Sequence, residues 1–278
     1  MPLQWLNDGT TQPGLSNVRQ AQLRYSRRLR GGLTLKASLE NGYSDVTSPT
    51  GTSYPDSNGG AGFGVNQVPD AAAQAIWEGE WGFVALRGVL RQIRIDNGSA
   101  VRRSDRYRDS ALGYGIGATG ALNLLDRRLI PAGSVNYGEG IGRYLDTSTA
   151  CFGTVSNYGL PVGGDLRLDT VGVLSGMVGL QFHFTDTIRT NMSLHGVRLS
   201  YPEYVHDFAG CAGTAGTVCS SLNRHIWAGF ANLIRSPVRP IDIGIEYVHV
   251  ERALKNRDAN GVRNGRADRI QASATVRF

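Results

Sequence analysis

Asn191, Ser193 and His195 stand at alternate positions, so on an extended chain their side chains leave one face together. An amide, a hydroxyl and an imidazole on one face are the parts of a Ser-His-Asn nucleophilic site, which makes a hydrolase one reading to be tested. The other chemistry-bearing groups are less organised. His183, His195, His206, His225 and His249 show neither an H-x-H nor an H-x-x-x-H spacing, so no metal site is expected. The glycine-rich run Gly138-Glu139-Gly140-Ile141-Gly142-Arg143 imitates a phosphate-cradling loop, but no helical pattern follows it and nucleotide binding is not expected. No cofactor is implied. Cys211 and Cys219 close a nine-residue span and are read as a disulfide, with Cys151 left over and able to displace either partner.

The remaining chemistry is cationic. The chain of 278 residues carries a net charge of +6, from 27 arginines and two lysines, Lys36 and Lys255, against 23 acids. The arginines are scattered singly rather than gathered on one helix or arm, which argues against nucleic acid as a partner. What such cations can do depends on the elements that carry them. Glycine is abundant, at 37 residues, with only 10 prolines and no G-X-Y period, and no apolar run approaches the ~20 residues of a membrane helix.

The pattern that does recur has a period of two. Ile270, Ala272, Ala274, Val276 and Phe278 alternate with Arg269, Gln271, Ser273, Thr275 and Arg277, and Ile243, Ile245 and Tyr247 repeat the theme. Further strands are expected at 17–28, 33–43, 72–81, 83–95, 110–123, 129–144, 171–184, 188–201 and 223–235, eleven in all. Their connections alternate between tight turns and long stretches rich in Gly, Ser, Asp and Asn, near 44–71, 96–109, 145–170, 202–222 and 252–264. Short turns at one edge and long loops at the other are the signature of an antiparallel transmembrane β-barrel. Aromatic residues near strand ends, among them Trp77, Trp81, Trp227 and Tyr247, suit its interfacial girdles, whereas a soluble β-sandwich predicts a Leu, Ile, Val and Phe core. The expectation is therefore an all-β, single-domain barrel at residues 1–278, facing outer-membrane lipid. Parity makes the first visible strand descend toward the periplasm, as the last does, and bacterial single-chain barrels have even strand counts. With no export signal at Met1-Pro2-Leu3-Gln4-Trp5, the chain reads as beginning inside a longer protein.

The segments Asn17 through Tyr25, Leu39-Glu40-Asn41, Gly79-Glu80-Trp81-Gly82, Leu90 through Arg94, Ala231 through Ile234 with Ser236-Pro237, and Arg269 through Phe278 carry a resemblance. The most specific element is Asn136-Tyr137-Gly138-Glu139-Gly140-Ile141-Gly142-Arg143-Tyr144. Together they resemble the DcaP-like outer-membrane porins over essentially the whole chain. That resemblance implies sixteen strands, a homotrimer and uptake of small anionic solutes such as dicarboxylates. It also implies that residues 1–16 are what is present of the loop that folds into the pore.

In such a protein selection is passive, and lumenal cations favour anions by Coulomb attraction. Parity assigns the lumen: outward Ala21, Leu23 and Tyr25 put Gln20, Gln22 and Arg24 inside, and outward Leu35 and Leu39 put Lys36 and Glu40 inside. By the same argument Arg87, Arg91, Arg189, Arg269 and Arg277 face inward, as do Glu246 and Gln271. Arg24, Lys36, Arg87 and Arg91, near midstrand, are the foremost anion-guiding candidates; Arg189 and Arg277 lie near the periplasmic edge. The competing reading pairs each arginine with a wall carboxylate such as Glu40, Glu78 or Glu246. Parity also turns Ser193 and His195 away from lipid, which weakens the hydrolase; a plugged, adhesive barrel is the third reading.

Overall fold

The computed structural model describes residues 13, 16, 20–44, 46–47, 53–54, 65–96, 108–145, 154–156, 167–207, 222–238, 240–257 and 261–276. Cys151, Cys211, Cys219 and Arg277 lie outside the described residues, as does most of the segment 1–16. The strands in chain order are β1 (Gln22–Arg28), β2 (Leu33–Glu40), β3 (Val46–Thr47), β4 (Ser53–Tyr54), β5 (Asp70–Gly79), β6 (Gly82–Asp96), β7 (Arg108–Leu122), β8 (Leu129–Glu139), β9 (Thr154–Ser156), β10 (Leu168–Thr170), β11 (Gly172–His183), β12 (Ile188–Ser200), β13 (Asn223–Val238), β14 (Ile241–Leu254) and β15 (Asn264–Val276).

Eleven of these form one antiparallel sheet in the order β1-β2-β5-β6-β7-β8-β11-β12-β13-β14-β15. Every sheet neighbour is therefore the next long strand in sequence, an up-and-down meander of a transmembrane barrel wall. The expected strands and tight turns are present. Alternation sets the two faces: Leu23, Ile116 and Ile270 stand 77%, 66% and 70% exposed on the outside, a row of apolar side chains that only lipid satisfies. At the tight-turn end Trp77 and Trp81 meet edge to face at 5.6 Å, and Trp77 Nε1 donates to the Gly31 carbonyl, so ring and polar tip each find their medium.

Two features depart from the sequence reading. The long loops are not merely polar: β10-β9-β3-β4 make a second, four-stranded sheet, and Val46 and Leu168 pack on Ile93 and Ile95, the inward residues at the outer end of β6. A larger apolar cluster joins Ile141, Leu145, Val155 and Val205 of the loops to Val173, Val197 and Leu199 of the wall. The hydrophobic core thus lies in the outer mouth, beneath the loops. The strand expected at 129–144 also stops at Glu139. Gly140 adopts φ +69°, a left-handed conformation that ordinary side chains avoid, and turns the chain off the wall into a 3-10 turn at Gly142–Tyr144.

Candidate functional site

A register row crosses six strands and continues onto the next. Ser26, Lys36, Gln74, Arg87, Gly117, Asn136 and Ser175 are successive cross-strand partners from β1 to β11, all on the lumenal face. Arg87 lies flat along this row: its Nη2 donates to Asn136 Oδ1 at 2.7 Å and to Ser134 Oγ at 3.2 Å. Gly117 makes that possible, because a Cβ there would stand 2.5 Å from Asn136 Oδ1 and 2.9 Å from Arg87 Nε. Gly115 makes room in the same way for Ile141 of the inserted turn, and Gly113 for Arg91.

The row borders a lumenal cavity of about 300 Å³ that also receives Gln20, Gln22, Arg24, Lys36 and Glu40. Among the described residues, Arg24, Lys36 and Arg87 make no ion pair with a carboxylate. Three cations thus face one space whose carboxylate, Glu40, is held by neutral donors: Ser38 Oγ at 2.7 Å and Gln20 Nε2 at 2.5 Å.

The inserted turn closes the outer side of this cavity. The Tyr144 hydroxyl donates to Asp70 Oδ2 at 2.9 Å, accepts from Gln20 Nε2 at 3.2 Å and stands 3.3 Å from Glu40 Oε2. Burial, reinforced by the Asp70 charge, holds this phenol above its ordinary range, so it remains a donor. Arg143 donates to Gln20 Oε1 at 2.7 Å and lies over the Tyr43 ring at 4.7 Å. Asp70, Asn136, Arg143 and Tyr144 were not singled out from residue type, yet Asn136 and Tyr144 bound the run that carries the most specific resemblance.

Arg91 stands apart from the other anion-guiding candidates. It is only 2% exposed, with Nε 3.4 Å from Asp70 Oδ2, Nη1 donating to the Gly140 carbonyl at 3.0 Å and Nη2 to that of Tyr43. It ties the inserted turn to the wall, as an arginine paired with a carboxylate does, although the partner is Asp70 rather than Glu40, Glu78 or Glu246. Arg189 is likewise paired, with Asp242 Oδ2 at 2.9 Å and Ser236 Oγ at 2.8 Å. Arg269 is exposed on β15 opposite Val248.

The far wall is organised differently. Asn191, Asn232, Glu246 and Gln271 are successive partners across β12 to β15. Asn191 Nδ2 donates to Asn232 Oδ1 at 2.9 Å, Asn232 Nδ2 to Glu246 Oε2 at 3.1 Å and Gln271 Nε2 to Glu246 Oε1 at 2.8 Å. Asn191 and Glu246 are fully buried. Just above, Ser193 Oγ lies 2.8 Å from His195 Nε2, and the His195 ring meets Phe230 edge to face at 5.1 Å. This is the contact a Ser-His nucleophile needs, but both residues are buried on the lumenal side, away from lipid, and the Asn191 amide is engaged with Asn232. The backbone carbonyl of Pro13 reaches His195 as well.

The outer membrane channel DcaP of Acinetobacter baumannii superposes on 99% of this chain and 67% of its own, with a TM-score of 0.71 at 18% sequence identity. The fold is that of an outer-membrane channel. The OmpT outer membrane protein of Vibrio cholerae, at TM-score 0.46 and 10% identity over 92% of this chain and 63% of its own, is a much looser likeness. No family profile matches the sequence, and no curated protein matches it. The DcaP-like resemblance read from the sequence is thus a likeness in fold, and the chain has the all-β fold of an outer-membrane barrel.

Proposed function

We propose that this protein is a passive porin that prefers small anions, dicarboxylates among them, and performs no covalent chemistry. The single observation that carries the reading is the convergence of Arg24, Lys36 and Arg87 on one cavity without a carboxylate ion pair among the described residues. At an effective dielectric constant of ~20, a unit charge about 8 Å from a passing ion is worth about 2 kcal/mol, so three acting together outweigh the opposing Glu40. Lys36 and Arg87 flank Gln74 at two strand spacings, roughly 10 Å between backbones, a span over which converging side chains can meet both ends of a short diacid.

The DcaP-like fold supports the same reading and, with it, assembly as a homotrimer. The segment at 1–16 belongs to the lumen in this proposal. Pro13 against His195 and the bridge between Ser16 and Leu145 support its being part of the pore-inserted loop. The reversal potential across a planar bilayer in a salt gradient tests the selectivity: an anion-selective sign is expected, and a cation-selective sign overturns it. Liposome swelling with succinate against a neutral solute of equal size tests the substrate class, and faster entry of the neutral solute would retire it.

A further inference from the structure

The outer face of β13 to β15 holds a second cationic feature, separate from the lumen. On that face the apolar residues Ile243, Ile245 and Ile270 end at Tyr247 and Trp227. The Tyr247 hydroxyl donates to Asp268 Oδ1 at 2.6 Å and Trp227 Nε1 to Glu251 Oε2 at 3.0 Å. Amphipathic rings with their polar tips directed to charged neighbours mark the outer limit of the lipid-facing band. Immediately beyond it Glu251 and Arg266 are cross-strand partners on the same outward face. A groove of about 550 Å³ opens there, lined by Arg224, Arg263 and Arg266 together with Glu251 and His225.

Three guanidinium groups face Glu251 in the groove and Asp268 beside it, so positive charge is in excess there and an anion relieves its repulsion. Arg263 donates to the Leu254 carbonyl at 3.2 Å, a neutral acceptor. Among the described residues Arg224, Arg263 and Arg266 make no ion pair with a carboxylate. The planar fork of arginine matches phosphate oxygens in pairs, and several arginines around one groove suit a group carrying more than one negative charge.

We infer that this groove seats the phosphorylated headgroup of an outer-leaflet glycolipid. The level favours a lipid over a free solute: the groove continues the apolar band upward on the lipid side of the wall, so acyl chains can lie against Ile245 and Ile270 while the phosphates meet the arginines. This goes beyond solute conduction and rests only on the chain's placement in the outer membrane.

Native mass spectrometry of the detergent-purified protein, with diphosphorylated lipid A, its dephosphorylated counterpart and inorganic phosphate added in turn, tests the assignment. The wild type is expected to retain the diphosphorylated lipid in clear preference to the dephosphorylated one. Arg224→Gln combined with Arg266→Gln should weaken that retention on the order of thirtyfold, with reversal potential unchanged. Equal retention of the two lipids, retention undiminished in the variant, or binding of inorganic phosphate without lipid would each overturn the inference. If the double variant does not assemble, Arg266→Gln alone, at an exposed position, is expected to weaken retention about fivefold, and undiminished retention by it counts against the inference equally.

Discussion

The lumenal wall of β1 to β8 and that of β12 to β15 are built from the same alternation of inward polar and outward apolar residues, yet they handle their polar groups in opposite ways. On β12 to β15 the side chains of Asn191, Asn232, Glu246 and Gln271 answer one another across successive strands, and the single charge among them is enclosed. On β1 to β8 the cations border open space, and Arg87 is steadied by the amide oxygen of Asn136 rather than by an acid. A charge neutralised by its neighbour has little field left for a solute, whereas a cation held by neutral groups keeps its charge and loses only its freedom to move. In the proposed porin one wall therefore stiffens the barrel and the other selects. Arg91 shows that the distinction does not follow wall membership alone, since it lies on β6 beside Arg87 and is nevertheless spent on Asp70.

The largest effect is expected where a closed pair is opened. Arg91→Met leaves the Asp70 carboxylate buried without its cation, a loss of about 3–5 kcal/mol in stability. Denaturant unfolding in detergent should show it, while the reversal potential of the folded fraction stays anion-selective; a wild-type midpoint would mean that the pair contributes nothing. Asn232→Ala breaks the far ladder in its middle and strands donors and acceptors on both sides, at about 1–3 kcal/mol, again with selectivity intact. If that variant altered selectivity, the division of labour between the walls would fail.

The open wall should respond in the reverse manner. Arg87→Glu exchanges an attractive charge for a repulsive one and is expected to lower the anion-to-cation permeability ratio about tenfold or more in dilute salt, with the change shrinking in concentrated salt. Lys36→Glu should act in the same direction, and a ratio unchanged in both variants would remove the cavity from the conduction path. The smallest effect belongs to the junction between cavity and turn. Tyr144→Phe removes the donor to Asp70 at about 0.5–1.5 kcal/mol. Its measurable sign is a small fall in unfolding midpoint with no change in the sign of the reversal potential.

Much of the wall was legible because alternation is a local property. A residue at i and another at i+2 share a face whatever surrounds them, so Arg87 inside and Leu86 outside follow from sequence, as does the inward orientation of Asn191, Ser193 and His195. Gly113, Gly115 and Gly117 alternate on the inner face of β7, and each makes room for Arg91, Ile141 or Arg87. What could not be read was which inward residues meet. Asp70 begins β5 after a long connection, and nothing local ties it to Arg91 twenty-one residues later or to Tyr144 beyond β8. The stretch 140–144 was expected to continue the strand at 129–144, and the positive φ at Gly140 redirects it.

By itself the sequence determined the eleven long strands of the wall, their order, the face each of their side chains occupies and the end at which the long loops gather, since all of these follow from period-two patterning and connection length. Only the tertiary structure decided which cations remain available to a solute. That depends on distances between side chains far apart in the chain: 3.4 Å from Arg91 to Asp70, 2.9 Å from Arg189 to Asp242, and no such carboxylate among the described residues for Arg24, Lys36 or Arg87. Coulomb energy varies with separation and with burial, neither of which is written in residue spacing.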